Sequence, residues 1–312
     1  MMSEHAFMTI TARVRSLAGH EQMLLPFETS EPIVLREPPH GQMLKWIGNK
    51  QRSAAAIAAY LPASYERYIE PFVGAGAVLG TMSPRVGIAG DTLAPLVELW
   101  RLIHDDPDAV VTHYTTNWDR YEANRQTTYN TVLARYNARP NGLDLLFLCR
   151  SCYGGVVRFT KSGTMSTPMG AHRAIPPDAL RHRLDLWRPR IAGTDFRFAS
   201  YEVTMADASA GDVVYCDPPY TFAQAILYGA QDFDIDTLWA AIAGAKARGA
   251  KVAVSIDGRK RSGLVNLEHN LPDGLFAREI FLELGGSMLK RFQRNGSDVA
   301  DEHVADRLLL TW

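Results

Sequence analysis

Long apolar runs are missing from this 312-residue chain. Although 46% of its side chains are apolar, no stretch approaches the roughly 18 consecutive apolar residues that a membrane span needs. The first residues, interrupted by Glu4 and His5, carry no secretory-leader pattern. Both absences point to a cytoplasmic protein with no membrane partner. Cysteine is scarce: Cys149, Cys152 and Cys216 make an odd total, and the 149/152 pair has no second pair to complete a tetrahedral zinc site. With Leu145, Leu146, Phe147 and Leu148 before it, that pair reads as reduced thiols buried on a helix. The nine histidines are scattered without metal-ligand spacing, so no metal is expected. Net charge is nearly absent too. A formal value of −1 excludes a protein that coats nucleic acid through bulk electrostatics.

What is present is a charge asymmetry. Between 150 and 190 the bases Arg150, Arg158, Lys161, Arg173, Arg181, Arg183, Arg188 and Arg190 face only Asp178 and Asp185, whereas 200 to 239 holds seven acids and no Lys or Arg. A basic segment beside an acidic one suggests a local footprint for a polyanion. Taken alone, a solvated basic helix starting near Pro177 explains Arg181, Arg183 and Arg188 better.

The length supports a sizeable core plus an inserted subdomain. Residues 1–41 read as an N-terminal extension ending in the turn Glu37-Pro38-Pro39-His40-Gly41. Asn49 is placed as the N-cap of a helix over 50–61, stopped by Pro62. A strand over 67–72, the turn Gly74-Ala75-Gly76, a helix from Ala77, a strand over 86–90 ending in Asp91, and a helix from Pro95 follow. That order is the first half of a doubly wound α/β nucleotide fold, with the acid where ribose hydroxyls should lie. The rhythm breaks over 105–199, where 121–136 and 143–153 look helical and 156–170 irregular, so this block reads as an insert. It resumes with strands over 196–200 and 212–216, a helix over 235–248 and a strand over 251–256. The last strands, 276–284 and 307–312, form an antiparallel hairpin. The expected architecture is therefore a doubly wound α/β domain in two parts, 42–104 and 200–312, around an inserted, mostly helical subdomain at 105–199.

Three short motifs carry chemistry. Gly74 and Gly76 follow a strand and open a helix, permitting close approach of a ligand to the backbone. The third glycine of the dinucleotide fingerprint is missing, and a shortened loop with Asp91 downstream suits S-adenosylmethionine, which carries no pyrophosphate. Asp217-Pro218-Pro219-Tyr220 closes the apolar run Val213-Val214-Tyr215-Cys216. Its prolines fix φ and lack N–H groups, leaving turn carbonyls free to face a ligand, and Tyr220 offers a flat stacking surface. A nucleobase amino group, whose lone pair is delocalised into the ring, becomes nucleophilic when acceptors such as Asp217 and the Pro218 carbonyl draw on its protons. The third motif is Lys45-Trp46-Ile47-Gly48-Asn49-Lys50.

In this order, with a basic insert between them, the three motifs resemble the Dam-like family of DNA adenine-N6 methyltransferases, over most of 42–312. The resemblance implies the mixed-sheet fold of S-adenosylmethionine-dependent methyltransferases, with double-stranded DNA as partner and a monomer or weak dimer as the working form. It implies that Trp46, Lys50, Asp91 and Asp217 contact the cofactor, that Phe72, Gly74 and Gly76 shape its pocket, and that Asp217, Pro218 and Tyr220 hold an adenine flipped out of the duplex. Arg158, Lys161, Pro168 and Arg173, in or beside the family's DNA-reading segment, are the DNA-binding candidates. Two positions depart from the family pattern. Leu93 stands where Asn is usual, and Met165-Ser166-Thr167 replaces the usual Phe-Asn, so sequence preference does not carry over. Two other functions compete: methylation of another planar amine, in RNA or at a protein glutamine, and DNA binding by a non-catalytic homologue. Glutamine-modifying families usually show Asn where this chain has Asp217.

Overall fold

The computed structural model describes residues 12–16, 36–160, 162–219, 233–257, 271–286 and 303–312. Its frame is one eight-stranded mixed sheet. In chain order the strands are β1 (Ala12–Ser16), β2 (Tyr68–Glu70), β3 (Gly87–Asp91), β4 (Thr194–Phe198), β5 (Val213–Cys216), β6 (Lys251–Asp257), β7 (Arg278–Gly286) and β8 (His303–Leu310), arranged β1-β7-β8-β6-β5-β2-β3-β4. Strands β2 to β6 run parallel. Strand β8 inserts antiparallel between β6 and β7, the expected closing hairpin. The parallel centre reads as continuous apolar residues because both of its faces are covered: Val213, Val214, Tyr215 and Cys216 are all buried. Chain order reverses at β2, which has β3 on one side and β5 on the other. The carboxyl ends of β2 and β5 therefore flank the crevice in which open α/β sheets bind ligands.

The described helices are α1 (Ala54–Tyr60), α2 (Ala77–Met82), α3 (Ala94–Asp105), α4 (Pro107–Ala123), α5 (Arg125–Ala138), α6 (Gly142–Ser151), α7 (Pro177–Ile191), α8 (Tyr201–Thr204) and α9 (Ile235–Ala247). Among the described residues none is long and apolar enough to cross a membrane. Helices α4 to α7 do not enclose a core of their own. Tyr121, Phe147 and Trp187 belong to the same hydrophobic cluster as Leu96 and Trp100 of α3. Trp100 stacks on Phe196 at 5.7 Å and 4° and meets Trp187 at 5.5 Å. The contact of α6 with α3 is so close that a Cβ at Gly142 would stand 2.5 Å from the Leu99 amide nitrogen, and only glycine fits there.

Several local expectations are corrected. Asn49 does not cap a helix. Its Oδ1 accepts from the Gln51 amide at 2.7 Å, an Asx turn that competes with helix formation, and α1 starts at Ala54. The helix expected over 121–136 is two. Asn124 breaks it by capping α5 through the Thr127 amide at 3.1 Å, and α4 reaches back to Pro107, capped by Asp106. Within 1–41, Ala12–Ser16 forms an edge strand antiparallel to β7.

Three arginines of the basic segment are consumed internally. Arg150 is buried and donates to the Met43 carbonyl at 2.7 and 3.0 Å. Arg183 donates to the Gln42 carbonyl, and Arg190 to those of Glu37 and Gly80 at 2.6 and 3.2 Å. Together with Trp187, whose indole N–H reaches the Gly41 carbonyl at 2.8 Å, these side chains staple residues 37–43 onto α6 and α7. Arg181 pairs with Asp108 at 2.7 Å. Arg181, 41% exposed, and Arg188 do lie on an outer helix face, whereas Arg183 does not, and the carbonyl-bound Arg150, Arg183 and Arg190 interrupt a continuous polyanion footprint.

Candidate active site

Strand β2 leads into the glycine turn. Gly74 has φ +46° and Gly76 +65°, values that L side chains rarely adopt. The turn is held from several sides: the Gly76 amide donates to the Val73 carbonyl at 2.7 Å, the Val73 amide to that of Gly90 at 2.9 Å, and the Trp100 indole N–H to that of Gly74 at 2.9 Å. Asp91, the last residue of β3, receives the Gly74 amide on Oδ2 at 3.2 Å and the Leu93 amide on Oδ1 at 2.9 Å. The departure at Leu93 therefore still supplies a backbone donor. Each Asp91 oxygen keeps acceptor capacity for a further donor. Burial raises the Asp91 pKa, and the amides of Leu93, Gly74 and Thr92 oppose the rise.

A Cβ at Gly76 would lie 2.9 Å from Trp100 Cζ2, and that indole is fully buried. Gly76→Ala should therefore cost about 2 kcal/mol of stability, combining left-handed strain with displacement of a packed ring. Urea denaturation checks it, and an unchanged midpoint would contradict the geometry.

Asp217 stands at the carboxyl end of β5, directly beside the glycine turn. Lys50 Nζ lies 2.9 Å from Asp217 Oδ1, with side chains 10% and 19% exposed, and donates to the Gly48 carbonyl at 3.3 Å. A cavity of about 400 Å³ joins these groups. Trp46, Lys50, Phe72, Gly74, Gly76, Asp91, Asp217 and Pro218 all line it, so every cofactor candidate named from the sequence converges there. Tyr220 lies outside the described residues.

Three further lining residues went unrecognised in the sequence. Glu70 is 2% exposed. Burial pushes its carboxyl well above the usual range and the Asp217 charge adds to this, while the Tyr68 hydroxyl, donating at 2.6 Å, opposes it. A lone acid in an otherwise apolar strand was the available signal. Tyr201 and Phe233 flank Phe72, with ring centroids 5.3 and 6.2 Å from it. They come from separate elements, and no local pattern connects them.

Two of the DNA-binding candidates sit on one hairpin. Phe159 bridges Met165, the Ser166 amide donates to the Arg158 carbonyl at 3.0 Å, and the Arg158 amide to Thr167 Oγ1 at 2.9 Å. Arg158 and Pro168 are exposed. Arg173 is ion-paired with Glu122 at 2.9 Å, and Lys161 lies outside the described residues.

Known proteins match the chain over most of its length. A DNA adenine methylase of Vibrio cholerae serotype O1 is 31% identical over 225 residues, 68% of this chain and 79% of that protein. One from Haemophilus influenzae is 26% identical over 284 residues, 87% and 93% of the two chains. The DNA N-6-adenine-methyltransferase of Escherichia phage P1 is 26% identical over 231 residues, 69% of this chain and 30% of the phage protein. Residues 46–281, which hold the glycine turn, Asp91 and Asp217, match the model of one family, and the chain belongs to that family, the D12 class of N6 adenine-specific DNA methyltransferases.

Proposed function

We propose that this adenine-N6 DNA methyltransferase takes its methyl group from S-adenosylmethionine held in the 400 Å³ cavity and acts on an adenine extruded from duplex DNA. The observation that carries the reading is the meeting, in one cavity, of the glycine turn and Asp91 with Asp217 and Pro218, tied across by the Lys50–Asp217 ion pair. The residues fit the cofactor. Its ribose hydroxyls suit the remaining acceptor capacity of Asp91, and its cationic centre suits a cavity that carries the Asp217 carboxylate. Trp46, Phe72 and the bare backbone of Gly74 and Gly76 supply the apolar and close-approach surfaces. When bound, the cofactor supplies an electrophilic methyl group on a sulfonium.

The chain's own residues do the rest by orientation. Asp217 and the Pro218 carbonyl accept the two amino protons of adenine, which draws the nitrogen lone pair out of ring conjugation. They also stabilise the positive charge that grows on that nitrogen. A carboxylate has about four acceptor sites, so Asp217 can keep Lys50 and receive the amino group together. Holding the amino nitrogen at near-attack distance supplies the entropic part of the rate. Tyr220, next in sequence, would stack on the extruded ring and offset part of the unstacking cost of a few kcal/mol. Arg158, Lys161 and Pro168 would face the DNA, and Arg173 would exchange Glu122 for a phosphate.

The decisive experiment is incubation with mixed-sequence duplex DNA and S-adenosylmethionine followed by modified-base sequencing. N6-methyladenine in one sequence context is expected, and modification of cytosine alone, or none, would overturn the reading. Asp91→Ala should weaken cofactor binding about 10- to 100-fold, the worth of one or two hydrogen bonds to a charged group. Titration calorimetry reads this directly, and an unchanged affinity would remove Asp91 from the site.

A further inference from the structure

Arg125, Tyr129 and Asn137 fall on one face of α5, where residues about four apart stack, and that face grips the arm returning from the hairpin of Arg158 and Pro168. Asn137 pairs with both backbone groups of Met165, at 2.9 and 3.0 Å, and the Tyr129 hydroxyl donates to the Thr167 carbonyl at 2.6 Å. Arg125 holds the end of the arm differently. One nitrogen, Nη2, lies 3.2, 3.1 and 3.0 Å from the carbonyl oxygens of Gly170, Ala171 and His172, and 2.9 Å from the Tyr121 hydroxyl. The guanidinium also sits over the buried Tyr121 ring, 5.1 Å from its centroid.

The two N–H groups of one guanidinium nitrogen cannot each be directed at four oxygens. The positive charge itself therefore keeps three consecutive carbonyl dipoles converged, an arrangement in which they would otherwise repel one another. The convergence has a consequence on the other side of the chain. The peptide bonds of this arm are trans, and a trans peptide sets its C=O and N–H in opposite directions, so the amides of Ala171, His172 and Arg173 point away from the guanidinium. Residues 171–173 are all exposed. Successive amides facing one way form an anion-binding concavity, and the Arg173 side chain, 71% exposed, leaves from the same place.

We infer that Arg125 is a positioning residue for DNA: without touching the duplex, it folds residues 170–172 so that the amides beyond them and Arg173 present one face to a backbone phosphate. The inference rests on the proposed exchange of Glu122 for a phosphate by Arg173. Arg125 is turned toward the protein, with Nη2 among carbonyls and Nε buried, and the phosphate is left to the residues it arranges.

The test measures binding of the full-length enzyme to a duplex carrying the site found by modified-base sequencing, by fluorescence anisotropy over a series of KCl concentrations. Each phosphate neutralised by a cationic side chain steepens the plot of log affinity against log salt by about 0.9. Arg173→Ala should flatten the plot by about one such step. Arg125→Met, which keeps a stem over Tyr121 and loses the charge, should flatten it by the same step, and the double variant should flatten it no further. Arg125→Lys, which restores the charge, should recover most of the step. Cofactor affinity, read by calorimetry, should be unchanged throughout. Where Arg125→Met does not fold, Arg125→Gln, with stem and two donors but no charge, takes its place. A plot as steep as wild type in the folded, uncharged variant overturns the positioning role alone. So does a double variant that loses two steps, since Arg125 would then meet a phosphate of its own, and so does a flattening that Arg125→Lys leaves in place or that comes with weakened cofactor binding. No flattening with Arg173→Ala overturns the phosphate contact and the positioning together.

Discussion

Asp217→Ala is expected to lower single-turnover methylation of duplex DNA by about 10²- to 10³-fold, the usual loss when one charge-stabilising partner of a transition state is removed. The fold should survive. Asp217 lies at the rim of β5, with its carboxylate 19% exposed to the cavity, and water can take its place beside Lys50. Asp217→Asn should fall between the two, because the amide oxygen still accepts one amino proton while the negative charge is gone. Its nitrogen would meet the Lys50 ammonium, a donor facing a donor. Removing the Asp217 charge also removes one of the influences that raise the Glu70 pKa. Circular dichroism confirms folding and rapid quench gives the rate. A rate near wild type in a folded Asp217→Ala protein would sink the assignment.

How much of this site could be read from residues alone depends on how local each determinant is. Strand, glycine turn and helix around Gly74 and Gly76 were legible because neighbouring residues dictate them, as was Asp91 at the end of its strand. Asp217 announced itself through the two prolines behind it. The Lys50–Asp217 pair was not legible as a contact, since the sheet order brings together two segments that nothing in their own sequence connects. The arginines at 150, 183 and 190 misled for a related reason. A charge count cannot see backbone carbonyls, and those carbonyls are where these guanidinium groups are spent. Asn49 went wrong through competition between two legitimate uses of one side chain: the amide that caps helices also closes Asx turns, and the turn won.

Asp144→Ala should be the most damaging substitution among α4, α5 and α6 that leaves the cavity untouched. The Asp144 carboxylate is fully buried in the first turn of α6 and ties three helices together. It accepts from Arg135 Nε at 2.8 Å and from a second nitrogen of the same guanidinium, from His113 Nε2 at 2.8 Å and from Asn141 Nδ2 at 3.0 Å. Breaking a buried pair on one side costs about 3 to 5 kcal/mol. The lower end applies because the Arg135 side chain is 40% exposed and can rehydrate. Burial alone would push the Asp144 carboxyl up, but the hydrogen bonds from Arg135, His113 and Asn141 outweigh it and hold the group below the usual carboxylate range. A folded-state pKa depressed in this way contributes stability that is present above the unfolded value of about 3.9 and is lost as pH falls toward the folded one. The gap in urea stability between wild type and Asp144→Ala should therefore be about 3 kcal/mol at pH 7 and shrink as pH drops below about 4. A gap under about 1 kcal/mol at pH 7, or one indifferent to acid, would show the network to be surface decoration. Because α6 leads into the hairpin of Arg158 and Pro168, a folded Asp144→Ala protein should bind S-adenosylmethionine normally and duplex DNA less tightly.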